Sequence, residues 1–274
     1  MNTVAALLAQ ARQLGLASVD ARLLLSHVSG LNHAHQAGRP ETELDDAQAA
    51  QYRELLARRS AGEPIAYLIG EREFFSLRFE VGPGVLIPRP DTELLVELAL
   101  ERLPLDTPLR VLDLGTGSGI LPVCLAKHRP AIAMSAVDVS PAALAIAARN
   151  VLQHGVTVRL LQSDWYTALG DETFDLIVSN PPYIANGDHH LDEGDLRFEP
   201  RSALTDEADG LAHIRQIING ATTRLHPGGW LLFEHGYDQA AASRALLVAA
   251  GFAQVQSWGD LGGNDRVSGG IWRA

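Results

Sequence analysis

Residues 110–119 read Arg-Val-Leu-Asp-Leu-Gly-Thr-Gly-Ser-Gly, an apolar run that breaks into glycines at alternate positions, Gly115, Gly117 and Gly119. The run has the length and character of a buried strand, and ILPVCLAKH at 120–128 has helical spacing, so the glycines occupy a strand-to-helix turn. Ligands of open α/β sheets bind at the carboxyl ends of strands, where glycines let the backbone come close. The spacing GxGxG does not complete the GxGxxG dinucleotide fingerprint. Asp138, however, ends the next apolar run, 131–139, where an acid would accept hydrogen bonds from ribose hydroxyls. Turn and acid together point to a nucleoside cofactor.

Outward from this turn the pattern is regular. Helical spacing at 92–103, 141–154, 211–225 and 238–251 alternates with strand-like runs at 156–162, 174–180, 228–236, 252–258 and 268–273. Such alternation predicts a parallel sheet covered on both faces, with the last two strands, which have no helix between them, forming an antiparallel pair at its edge. Ahead of it, 62–90 mixes short β-like runs with Gly and Pro and reads as a β-hairpin linker. Residues 1–61 read as a helical accessory domain, with helices at 4–14, at 21–28 after a Ser18 cap, and at 48–56. The catalytic-sized domain is then 91–274.

Composition narrows the functional classes. The 274 residues are 46% hydrophobic and 20% charged, as in a folded globular chain and unlike a disordered one. The net charge of -11, with Lys127 as the one lysine, argues against gripping long stretches of nucleic acid backbone. The single cysteine, Cys124, cannot form an internal disulfide and reads as core packing. No stretch resembles a signal peptide or a membrane span, so a cytoplasmic protein, monomeric and without membrane contact, is expected.

NAD and S-adenosylmethionine both satisfy the glycine turn and Asp138, and Asn180-Pro181-Pro182-Tyr183 decides between them. This stretch ends the strand at 174–180, at the same sheet edge as the turn. An amide or ring amine is a poor nucleophile because its lone pair is delocalised. It attacks a methyl sulfonium only if held in line. The Asn180 side-chain oxygen and a backbone carbonyl freed by the rigid Pro182 turn can accept both N–H protons and aim the lone pair, while Tyr183 packs on the planar group. Asp164 and Trp165 follow the strand at 156–162 at its carboxyl end, where a carboxylate and an aromatic face suit adenine.

Residues 113–119, Asp138 and 180–183 together resemble class I S-adenosylmethionine-dependent methyltransferases acting on planar amines. IPRPDTELLV at 87–96, NPPYI at 180–184, FEPRSAL at 198–204 and DLGGNDRVSGG at 260–270 narrow the resemblance to the HemK/PrmC family. That family methylates the glutamine of the Gly-Gly-Gln loop in peptide chain release factors. The resemblance covers nearly the whole chain. It implies a Rossmann-like seven-stranded methyltransferase domain behind a helical domain that helps recognise the release factor. It also implies transfer of a methyl group from S-adenosyl-L-methionine, leaving S-adenosyl-L-homocysteine, to the N5 amide nitrogen. Gly115, Thr116, Gly117, Ser118, Gly119, Asp138, Asp164, Trp165 and Asn180 would bind the cofactor. Asn180, Pro181, Pro182 and Tyr183 would hold the glutamine amide, with Asn180, Pro181 and Tyr183 in the catalytic role.

Two rivals share this chemistry: a ribosomal-protein glutamine methyltransferase, differing mainly in its recognition domain, and a nucleic acid adenine N6-methyltransferase, disfavoured by the acidic charge and the lack of a basic, aromatic base-reading domain. A non-catalytic binding module is disfavoured because the turn and the NPPY stretch are both intact. Residues 186–209 carry eight acids against Arg197 and Arg201 and are either a solvated loop or a receptor for a basic substrate loop. Arg89, Thr92 and Glu93 sit at a helix start and are candidates for the pocket wall. His33, His35, His189 and His190 lack a Cys or acid at ligand spacing, so no metal is expected.

Overall fold

The computed structural model describes residues 2–273, the side chains of His190 and Asp192 excepted. The chain divides into two compact units, one ending at Glu71 and the other beginning at Arg72. The first unit is helical: α1 (Val4–Gln13), α2 (Ser18–Ser29), α3 (His33–Gly38), α4 (Asp46–Ser60) and α5 (Ile65–Ile69). Val4, Leu7, Leu24, Leu25, Tyr52 and Leu56 are buried at its centre, and the Tyr52 hydroxyl donates to Ala21 O at 3.1 Å.

Three local expectations change in this unit. Ser18 is the first helical residue of α2, not its cap; Ala17 takes that place without a side-chain bond. Helix α4 starts before residue 48, because Asp45 and Gln48 close a reciprocal capping box that extends it to Asp46. The connection at 27–46 contains α3, whose Gln36 is buried and donates through Nε2 to Arg22 O, Ser26 Oγ and Leu31 O. A short polar helix of this kind has no apolar stripe for sequence to show.

The segment from 62 opens with α5, whose Ile65, Leu68 and Ile69 join the helical core of the first unit. A two-stranded sheet follows, β1 (Glu71–Phe74) and β2 (Leu77–Glu80). Phe75 and Ser76 turn it, both with positive φ (50° and 60°), the hand that matches strand twist in a two-residue hairpin loop.

The second unit continues with α6 (Glu93–Arg102), β3 (Arg110–Leu114), α7 (Ile120–His128), β4 (Ala133–Asp138), α8 (Pro141–His154), β5 (Arg159–Gln162) and β6 (Phe174–Ser179). It ends with α9 (Ala212–Arg224), β7 (Leu225–Glu234), α10 (Ala240–Ala249), β8 (Phe252–Gly259) and β9 (Asp265–Trp272). The seven strands lie in the order β5-β4-β3-β6-β7-β9-β8. All neighbours are parallel except those of β9, which runs against both β7 and β8. The antiparallel pair therefore forms, with β9 inside the sheet and β8 at the edge.

Side chains alternate along β3, so that Val111 packs with α6 and α7 on one face while Leu112 and Leu114 pack with α9 and α10 on the other. The strand order reverses between β3 and β6, and Leu114 pairs with Ser179 there. Gly115 and Asn180 thus leave the sheet side by side, at the place where open α/β sheets bind ligands.

Candidate functional site

The glycine turn is built by backbone demands. Gly115, Gly117 and Gly119 all have positive φ (73°, 55° and 83°), which residues with a Cβ rarely adopt. Gly115 and Thr116 N–H both donate to Val137 O at 2.9 Å, folding the turn over the end of β4. A Cβ on Gly119 would come within 3.1 Å of Ala147 Cβ, so this glycine also lets α8 approach. Asn150, buried on α8, donates from Nδ2 to Ser118 O at 2.8 Å and Glu80 O at 3.0 Å, while its Oδ1 accepts Glu80 N–H at 2.7 Å. No local sequence signal marks Asn150.

Asp138 holds the turn from the other side. Its Oδ2 accepts Gly117 N–H at 2.8 Å and its Oδ1 accepts Ser140 N–H at 2.9 Å. Burial pushes its pKa up, and these backbone donors oppose the rise. Asp113 is fully buried, and neither carboxylate oxygen has a hydrogen-bond partner. Burial pushes its pKa up to about 7; the Thr116 hydroxyl opposes this without completing a regular hydrogen bond, and the Asp138 charge adds to it.

Trp165 has a φ of 46°, and its backbone oxygen accepts the Ser163 hydroxyl at 2.8 Å. This turn lays its ring beside Gly115, where a Cβ would sit 3.6 Å from it, and 5.1 Å from the His213 ring. A cleft of about 400 Å³ opens between these groups. Gly115, Thr116, Gly117, Ser118, Asp138, Asp164, Trp165, Asn180 and Pro182 line it, and so do Arg89 and Thr92. Gly119, Pro181 and Tyr183 are not on its wall. Glu93 turns away, its Oε1 accepting Phe75 N–H at 2.8 Å. Ser202, from the FEPRSAL stretch, also lines the cleft, as do His213 and Thr205, which no motif announces.

The Asn180 turn is fixed by distant partners. Asn180 Nδ2 donates to Thr92 Oγ1 at 3.1 Å. The Tyr183 hydroxyl donates to Glu234 Oε1 at 2.9 Å, and burial together with that carboxylate drives the phenol pKa well above its usual value. Gln239 Nε2 donates to Tyr183 O at 2.9 Å, and Ile184 N–H donates to Leu204 O at 2.9 Å, which brings 201–205 onto the cleft wall. Glu199 is buried, pairs with Arg89 and accepts Ile87 N–H at 3.2 Å. Among the described residues, no group of three or more His, Cys, Asp or Glu side chains is arranged to hold a metal.

A mostly parallel central sheet with this strand order, a glycine turn at its switch point and an acid at the end of the neighbouring strand place the chain in the methyltransferase class. The Methyltransferase small domain model matches residues 91–195 and the PrmC N-terminal domain model matches residues 1–70. A release factor glutamine methyltransferase of Burkholderia pseudomallei is 54% identical, covering 93% of this chain and 92% of that one. The Escherichia coli protein of the same name is 48% identical, over 91% and 90%. Among solved structures, a methyltransferase from Pyrococcus furiosus shares the fold at a TM-score of 0.56 and 19% identity, covering 80% of this chain and 98% of that one. A Thermus thermophilus 16S rRNA methyltransferase, solved with AdoMet and guanosine, does so at a TM-score of 0.55 and 24% identity, covering 74% of this chain and 50% of that one. The chain belongs to the release factor glutamine methyltransferase family.

Proposed function

We propose that this protein methylates the N5 amide nitrogen of the glutamine in the Gly-Gly-Gln loop of peptide chain release factors, using S-adenosyl-L-methionine, in the cytoplasm. The observation that carries the reading is Asn180. It lines the cleft beside the glycine turn, its Nδ2 is committed to Thr92, and its Oδ1 takes no hydrogen bond from any described residue. A carboxamide oxygen kept open at that place suits a substrate N–H.

The residues present fit the cofactor. Asp138 has lone pairs to spare for ribose hydroxyls beyond the two backbone bonds it accepts. The Trp165 ring offers a flat wall for an adenine, with Asp164 beside it, and Gly115 through Ser118 present a surface without bulky side chains. When bound, S-adenosyl-L-methionine supplies an electrophilic methyl group on a sulfonium. Asn180 Oδ1 and a backbone carbonyl of the Pro182 turn accept the two amide N–H protons and hold the nitrogen lone pair in one direction. Pro182 keeps the turn rigid and contributes no N–H of its own. Tyr183, tied down by Glu234, supports that turn. No strong base is needed beforehand, because the substituted nitrogen is acidic enough to release a proton afterwards. No metal enters this scheme.

The helical unit favours a release factor over a ribosomal protein as the partner, since the family's own N-terminal domain matches there. No described helix is long and apolar enough to cross a membrane. The test is to incubate the protein with labelled S-adenosyl-L-methionine and, in parallel, a release factor, ribosomal proteins and DNA. Label in the release factor is expected; label in DNA alone would sink the reading. Asn180→Ala is expected to lower turnover by at least ~100-fold while cofactor affinity by calorimetry stays near that of the wild type.

A further inference from the structure

The Asn180 turn leaves β6 at one end and is gripped at the other by Gln239, a residue that the scheme above does not use. Gln239 stands immediately before α10, half-buried, and its carboxamide reaches three backbone groups. Its Oε1 accepts Gly236 N–H at 2.9 Å, and its Nε2 donates to Tyr183 O at 2.9 Å and to Gly210 O at 3.2 Å. The two carbonyls come from opposite sides of a seam. Tyr183 closes the substrate-holding turn, and Gly210 ends a stretch whose Thr205, Asp206 and Glu207 line the cleft. Across the seam Ile184 N–H donates to Leu204 O and Asn186 N–H to Ala208 O, both at 2.9 Å. The approach is close enough that a Cβ on Gly210, whose φ is 79°, would come within 2.5 Å of Tyr183 O.

We infer that Gln239 is a positioning residue that clamps the substrate-holding turn to the cleft wall at 204–210. A carboxamide NH2 has two donors, one for each carbonyl, while its oxygen, held by Gly236 N–H, fixes which way the NH2 points. Two carbonyl oxygens brought together with no donor between them repel. Without Gln239 the turn would swing away from the wall about Asn180. The backbone carbonyl that accepts a substrate N–H belongs to that turn, so its aim follows the clamp. Methyl transfer to an amide tolerates little error, since a misplacement of about 1 Å can cost ~100-fold in rate. The inference rests on the amide-methylation reading for its kinetic arm only.

Gln239→Glu keeps an acceptor for Gly236 N–H and removes both donors, setting a carboxylate against the two carbonyls. Gln239→Met keeps the length and removes every polar atom. Each is expected to lower kcat on the release factor at least ~10-fold and to change KM less than kcat. Cofactor affinity by calorimetry should stay near that of the wild type, because Asp138 ends β4 and Trp165 follows β5, away from the seam. A readout that needs no substrate is backbone hydrogen exchange by NMR. The Ile184 and Asn186 N–H groups should exchange faster in both variants while the amides of β3 and β4 keep their wild-type rates. A Gln239 that merely capped α10 would alter the α10 amides and leave Ile184 and Asn186 as they are. Should Gln239→Glu fail to fold, the uncharged Gln239→Met decides. Wild-type kcat in a folded variant, or unchanged exchange at Ile184 and Asn186, overturns the inference. Absence of methyl transfer by the wild type instead overturns the functional reading, and the exchange comparison then still decides the clamp.

Discussion

At the scale of single residues, the segment 87–96 is the hub of the site. Thr92 bonds Asn180, Ile87 and Arg89 bond Glu199, and Asp91 lies 3.5 Å from Arg266, which also pairs with Asp260. Three dispersed stretches of sequence thus answer to one short piece of chain. Asp113, whose carboxylate completes no regular hydrogen bond with any described residue, has a different consequence. Its pKa of about 7 in the fold lies above the ordinary 3.8, so over that interval the folded state holds a proton that the unfolded state has released. Stability therefore falls as pH rises through the interval and is level above it. Asp113→Asn cannot titrate. In thermal unfolding without cofactor, the variant's melting temperature is expected to gain on the wild type between pH 4 and 7 and to hold that margin at pH 8. An unchanging difference across that range would refute the assignment.

At the scale of elements, Asn150 of α8 joins the hairpin strand β2 to the glycine turn through three hydrogen bonds. Asn150→Ala strands backbone groups of Glu80 and Ser118 and is expected to cost about 3 kcal/mol, checked by denaturant unfolding. A further consequence would be weaker cofactor binding, because the turn loses its anchor. The large elements were legible in the sequence because apolar periodicity reports burial: the run at 110–114 is β3, and 141–154 is α8 residue for residue. The glycines, Asp138 and Asn180 were legible because each ends a strand at one edge. Thr92 was legible as a candidate for the pocket wall but not as the partner of Asn180, and Asn150, Glu199, His213 and Glu234 were not legible as parts of one site. Their roles come from partners far away in sequence, up to 112 residues in the case of Ile87 and Glu199, and no local pattern encodes a tertiary contact. Helix α3 escaped for the opposite reason, being too short and polar to show a period.

At the scale of the whole molecule, the net charge of -11 looked concentrated at 186–209. Much of that charge is engaged. Glu199 pairs with Arg89, Glu207 with Arg201 and Asp209 with Arg215, while the Asp206 carboxylate accepts the N–H groups of Ala208, Gly210 and Ala212. Glu193, whose carboxylate lies 4.0 Å from His189 Nε2, and Asp195 are the acids in this stretch left as candidates to meet a basic substrate loop; the side chain of neighbouring Asp192 lies outside the described residues. Replacing Asp192, Glu193 and Asp195 by lysine is expected to lower kcat/KM on the release factor about 3- to 10-fold at low salt, the difference vanishing near ~0.5 M salt as screening sets in. Equal rates at low salt would leave the loop as a solvated surface. The sheet itself imposes a hierarchy on how the molecule comes apart. Strand β8 is hydrogen-bonded to β9 alone and reaches the other five strands through it, the strand that follows it in the chain and slots in between it and β7. Any fluctuation that frees β9 leaves β8 with no strand partner, only its packing against α10, whereas β8 can fray alone, so the edge strand takes its place in the sheet from a neighbour made after it.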